Sequence, residues 1–188
     1  MKLVCFGDSI TYGFPYGPDA SWVKYTGEHI GLETVNAGEN GDTSFDLLRR
    51  VQKDVILENP RYTFIMIGTN DADLGLDVTA YAQNVAKIVE MLEGASITTL
   101  IGLPIPSADS YLEKRLAPYR SFLTGFALQK GLSYLDFSPV MLDKNNRCRT
   151  EYYLDDVHPS ADGYRAMGKL AVDFLKKVLR SSNGEIAP

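Results

Sequence analysis

Short runs of strand-forming residues recur along the chain, each followed by a stretch with helical periodicity, and this alternation limits the possible folds more than any other feature. The runs are Lys2 to Phe6, Thr34 to Asn36, Tyr62 to Ile67, Thr98 to Ile101 and Ser133 to Phe137. Several are continuously apolar, the pattern of parallel strands covered on both faces. Val85, Ile88, Val89 and Leu92 share one face of a helix predicted over Val78 to Glu93. Met167, Leu170, Ala171, Phe174, Leu175 and Val178 do the same in the last helix, with Ser160 placed to cap it. Helical patterns also cover Thr43 to Leu57 and Tyr111 to Lys130. The second is expected to kink or split at Pro118, which lacks an amide hydrogen and crowds the preceding turn.

Repeated β-α alternation predicts an open, mostly parallel sheet with helices on both faces. Neither a linker nor a repeat interrupts it, and 188 residues suit one domain spanning 1–188. Ligands of such sheets bind beyond the carboxyl ends of the strands. The residues that immediately follow each strand are therefore the ones to inspect for chemistry.

A net charge of −5, with no basic stripe or polybasic tail, argues against a general nucleic-acid binder, which needs cationic surface to neutralise phosphates. No apolar stretch approaches the roughly 20 residues that span a bilayer, and the start lacks a secretory signal pattern. A cytoplasmic protein is the expectation. Cys5 and Cys148 match neither a disulfide framework nor a zinc spacing and are expected to be free thiols.

The first strand delivers Gly7-Asp8-Ser9, and the second delivers NAGENGDTS, residues 36 to 44. In that turn Gly38 and Gly41 let backbone amides approach a ligand unobstructed. The third strand ends in Gly68-Thr69-Asn70-Asp71, and near the C-terminus Asp155-Asp156-Val157-His158 sets a carboxylate three residues before an imidazole. A serine hydroxyl needs a base to become nucleophilic, and a histidine oriented by a carboxylate is the usual solution. His158 is one of two histidines; the other, His29, falls in the predicted first helix without such a carboxylate motif. The spacing favours Asp155 over Asp156 as its partner. Donors for a developing oxyanion are available from the Ser9 and Gly41 amides and the Asn70 side chain.

Each of these residues also has a plainer reading. Ser9 can cap a turn, and Asn70 and Asp71 can be turn formers. Asp155 and His158 can decorate a helix start. Asp8 can assist electrostatically or simply bond backbone amides beside Ser9. Other motifs fail: GENGDTS has no phosphate-loop lysine, GDSIT lacks the second glycine of G-x-S-x-G, and DADLGLD places Gly75 where a calcium ligand belongs.

In order and interval, GDS, NAGENGDTS, GTND and DxxH resemble the blocks of the GDSL or SGNH hydrolases, and HPSADGYRAMG is similar to that family's last block. The likeness covers residues 7 to 164; Ile10 stands where the family often has leucine. It implies a flavodoxin-like three-layer α/β/α sandwich with five parallel strands in the order 2-1-3-4-5. It also implies a serine ester hydrolase without metal or organic cofactor. In that reading Ser9 is the nucleophile, His158 the base, Asp155 its orienting partner, and Ser9, Gly41 and Asn70 the oxyanion hole. Rival readings are an acyltransferase, a thioesterase or lysophospholipase using the same site, and a non-enzymatic flavodoxin-like binding module.

A small-molecule ester is the expected partner. The segments 12 to 22 and 102 to 112 follow the first and fourth strands and are placed to wall a pocket. Asp8, Tyr12, Trp22, Pro104, Tyr152 and Tyr153 are the candidate substrate contacts, although Trp22 and the tyrosines can equally pack the loops together. A chain this short leaves no room for a separate lid domain, so short acyl groups, such as acetyl on carbohydrate, are expected ahead of long-chain triglyceride. Oligomeric state is not legible.

Overall fold

The computed structural model describes residues 1–182, so the last six residues of the expected 1–188 domain lie outside the described part. Five parallel strands form the sheet: β1 (Lys2–Gly7), β2 (Glu33–Gly38), β3 (Tyr62–Met66), β4 (Thr98–Gly102) and β5 (Ser133–Leu135). Their spatial order is β2-β1-β3-β4-β5, as expected. Helices α1 (Ser9–Tyr12), α2 (Trp22–Ile30), α3 (Ser44–Asp54), α4 (Thr69–Leu74), α5 (Val78–Gly94), α6 (Ser110–Lys130), α7 (Ser138–Met141) and α8 (Ala161–Ser182) occupy the connections.

Alternate residues of the central strands β1, β3 and β4 feed two cores. Val4, Phe6, Ile65 and Ile67 pack toward Leu47, Val51, Val85, Ile88 and Leu116 of α3, α5 and α6. Leu3, Cys5, Phe64 and Met66 pack toward Trp22, Val23, Met167 and Ala171 of α2 and α8. Both faces are therefore apolar, which is why the strands read as continuous hydrophobic runs. Each fully buried large side chain contributes about 1.5–3 kcal/mol through removal from water. Cys5 and Cys148 are both free thiols. Among the described residues, no helix is long and apolar enough to cross a membrane.

The register aligns the strand ends in one row. Gly7 pairs with Gly38 on one side and Met66 on the other, Met66 with Gly102, and Gly102 with Leu135. Whatever follows these five residues emerges at a common rim. Elsewhere the boundaries shift from the sequence reading. The segment expected to run from Thr43 to Leu57 ends as α3 at Asp54, followed by a short 3-10 turn, Ile56–Glu58. The break expected at Pro118 does not occur: α6 runs through it. Pro118 and Lys114 are exposed, so the Lys114 carbonyl that loses its amide partner faces water, and buried Leu116, Tyr119 and Leu123 hold both flanks.

Candidate active site

Ser9 is the first residue of a single-turn helix set directly on the end of β1. The Asp8 carboxylate accepts the Ile10 amide at 3.0 Å and caps that turn. Gly13, at φ 101°, closes it in the left-handed region, where glycine costs least. Asn36 of β2 secures the other end: its Nδ2 donates to Thr11 O at 2.9 Å and Tyr12 O at 3.3 Å. The turn lies so close on β2 that a Cβ at Gly38 would collide with the Tyr12 amide. Ser9 is thereby held at the rim with 8% of its surface exposed. Asp8 is 1% exposed; burial, with Asp71 and Asp42 nearby, pushes its carboxyl up to about 7 despite the Ile10 hydrogen bond.

His158 comes from the loop before α8. Asp155 Oδ1 accepts the amides of Val157 at 2.7 Å and His158 at 2.6 Å, folding the segment into a tight turn. Leu154 N donates to His158 O at 2.8 Å, and Phe14 lies against the imidazole with ring centroids 4.7 Å apart. The three side chains stand in line: Ser9 Oγ is 3.1 Å from His158 Nε2, and His158 Nδ1 is 2.9 Å from Asp155 Oδ2. Burial raises the Asp155 carboxyl, but hydrogen bonds from His158 and Val157 outweigh it and hold the group below its ordinary value. Asp156 is exposed, and its carbonyl accepts from Ala108 N and Ser107 Oγ, both at 2.8 Å. His29 lies on α2, stacked on Tyr25, and takes no part.

The backbone amides of Ser9 and Gly41 donate to no protein acceptor among the described residues. Gly41 has φ +83°, a conformation that L side chains rarely adopt. The next residue, Asp42, accepts Asn70 Nδ2 on its carbonyl at 2.8 Å, tying the loop after β2 to the start of α4. Asp71 is fully buried and accepts Ser44 N at 3.1 and 3.0 Å and Ser44 Oγ at 2.6 Å. It fastens the N-terminus of α3 below the same loop.

A cleft of about 340 Å³ beside His158 is lined by Asn70, Asp73, Asp109, Leu112, Asp155 and Asp156, with Thr69 and Val157; Ser9 and Gly41 are not among its lining residues, and no lysine or arginine lines it. A larger hollow of about 690 Å³, bordered by Ser107, Cys148 and Arg149, includes neither Ser9 nor His158. Of the sequence-predicted substrate contacts, Asp8 and Tyr12 flank the Ser9 turn, Asp8 buried and Tyr12 half-buried. Trp22 does not reach the cleft. It is fully buried against Phe64 and Phe137, because Ser21 caps α2 and turns Trp22 onto the sheet. Pro104 is buried, and its carbonyl accepts Arg120 Nε at 2.8 Å. Tyr153 donates to Pro106 O at 2.5 Å, and Tyr152 borders a separate hollow with Asp162 and Arg165. Sequence reasoning missed Phe14 as an individual residue, and missed Asp42, Asp73 and Asp109. Only the aromatic richness of residues 12 to 22 pointed toward the first.

An α/β sheet with a hydroxyl, an imidazole and a carboxylate in line at its strand ends has the layout of a hydrolase. The family model of the GDSL-like lipases and acylhydrolases matches residues 5–166, and the chain belongs to that family. A solved protein of the G-D-S-L family from Desulfitobacterium hafniense DCB-2 is 29% identical, with a TM-score of 0.87 over 92% of this chain and 98% of that one. Esterase TesA of Pseudomonas aeruginosa is 25% identical over 167 residues, 85% of this chain and 80% of TesA. The Bacillus subtilis lipoprotein YqeF is 43% identical over 77 residues; these are 37% of this chain, which spans 32% of that relative.

Proposed function

We propose that the protein is a serine esterase in which Ser9 attacks an ester carbonyl and carries the acyl group as a covalent intermediate. The in-line contacts Ser9 Oγ to His158 Nε2 at 3.1 Å and His158 Nδ1 to Asp155 Oδ2 at 2.9 Å carry this reading. With the Nδ1 proton held by Asp155, Nε2 presents its lone pair to the hydroxyl and takes its proton as the C–O bond forms. The oxyanion is received by the amides of Ser9 and Gly41 and by the Asn70 side chain. The imidazolium then protonates the departing alcohol, and water deprotonated by the same ring releases the acid. The limited volume of the cleft and its carboxylate lining support short acyl groups on neutral or cationic alcohols.

The test is Ser9→Ala assayed on a small chromogenic ester and with a serine-directed fluorophosphonate. Loss of both turnover and labelling, with the fold retained, is expected. Hydrolysis at the wild-type rate by the variant would overturn the assignment.

A further inference from the structure

We infer that Arg50 is a positioning residue that sets the loop bearing Gly41 and the side chain of Asn70 against the strand that delivers Ser9; this rests on the roles proposed above. Arg50 lies on α3 and does not line the cleft. Its side chain is 13% exposed, as is that of Asp42. Every arm of its guanidinium is engaged. Nε donates to Asp42 Oδ2 at 2.6 Å, Nη1 to Ala37 O at 2.9 Å and to Asp54 Oδ2 at 3.1 Å, and Nη2 to Gly7 O at 2.9 Å. The cation also lies 4.4 Å from the centroid of the Phe6 ring.

The acceptors identify what the fork organises. Gly7 ends β1 two residues before Ser9, Ala37 is the penultimate residue of β2, and Asp42 follows Gly41. One side chain thus joins the strand behind the hydroxyl to the loop that carries one proposed oxyanion donor, the Gly41 amide, and the carbonyl that anchors a second, Asn70. The Asp42 carbonyl passes the constraint to Asn70. Glu39, Asn40 and Gly41 are exposed and gain little from packing, so polar ties must hold this loop. The one backbone tie to β1 is Glu39 N donating to Gly7 O at 3.1 Å, on the same carbonyl that Arg50 grips.

A lysine keeps the charge but not the planar fork, and one ammonium cannot satisfy two strand-end carbonyls and two carboxylates in these directions. Displacements of about 1 Å at a donor can cost on the order of 10²-fold in rate.

The experiment compares wild type, Arg50→Lys, Asp42→Asn and the double variant, with kcat normalised to Ser9 titrated by a fluorophosphonate. Arg50→Lys is expected to lower kcat by about 10²-fold, in the range of a lost oxyanion donor, with KM within about threefold of wild type. Asp42→Asn keeps the carbonyl that holds Asn70 and should lose about tenfold, an intermediate loss for a partly freed loop. The double variant should be no worse than Arg50→Lys, because the Asp42 carboxylate acts through its contact with Arg50. A normalised kcat for Arg50→Lys that matches wild type, or a change confined to KM, overturns the inference. If Ser9→Ala is inactive while Arg50→Lys is normal, this inference alone fails; if Ser9→Ala remains active, the proposed function fails first.

Discussion

Replacing Asp8 with asparagine tests whether the turn beneath Ser9 is held by a carboxyl kept partly protonated by burial. Asp8 is 1% exposed, and its carboxyl is pushed from an ordinary 3.8 up to about 7. Well below pH 3.8 the group is neutral in folded and unfolded chains alike. As pH rises toward 7 the unfolded chain releases this proton first, so the native state binds more protons and loses relative stability; above 7 both are ionised and the loss levels off. At 1.36 kcal/mol per pH unit, a native value near 7 against 3.8 corresponds to about 4 kcal/mol lost between pH 4 and pH 8. Asparagine keeps an oxygen for the Ile10 amide and has no charge to bury. Asp8→Asn should therefore lie close to wild type at pH 4 and exceed it by up to about 4 kcal/mol at pH 8. Urea denaturation of both proteins at pH 4, 5.5, 7 and 8 measures the gap, and titrating groups remote from Asp8 cancel in the difference. Parallel stability curves, or a gap that widens toward acid, would refute the reasoning.

Asp155→Asn turns an amide toward His158 Nδ1 and selects the tautomer that leaves Nε2 unable to accept the Ser9 proton. Because the Asp155 side chain is 49% exposed, the loss in kcat should be about 10²–10³-fold, less than the roughly 10⁴ of a buried triad carboxylate. Saturating ester kinetics would check it, and retention of more than about a tenth of wild-type kcat would exclude the assigned role. An ester panel should favour acetyl over long acyl chains and neutral or cationic alcohols over anionic ones. The charge preference should shrink in 1 M salt, where screening acts over about 3 Å; a preference for anionic esters would contradict the carboxylate-lined cleft.

Much of the fold was legible because a sheet buried on both faces writes uninterrupted apolar runs into the chain. The order 2-1-3-4-5 came from the family resemblance, and the structure bears it out. What the runs did not contain was where each strand stops, since that depends on neighbours. β2 extends to Gly38 because Gly7 pairs with it. The fifth run stops at Leu135 rather than Phe137, because Asp136 turns out of the sheet and accepts Ser138 N at 2.8 Å. Trp22 was legible as an aromatic but not as a core residue, because the Ser21 cap decides which way α2 presents it.

The site divides by the same logic. Ser9, Asn70, Asp155 and His158 were readable because each stands in a short polar block after an apolar strand or before the last helix, and a local motif survives without knowledge of the fold. Phe14 and Arg50 carry no such block. Phe14 earns its place only because a loop from the far end of the chain brings His158 against it. Arg50 sits in a helix whose only local partner is Asp54, four residues on, and the sequence there reads as an ordinary solvated ion pair. Its other acceptors are two strand-end carbonyls and a loop carboxylate, and carbonyls have no signature in a sequence. In this chain the candidate site side chains stand in local motifs, whereas the carbonyls that Arg50 grips lie where parallel strands end. A motif can therefore name the participants, while their spacing depends on residues such as Arg50 that no motif contains.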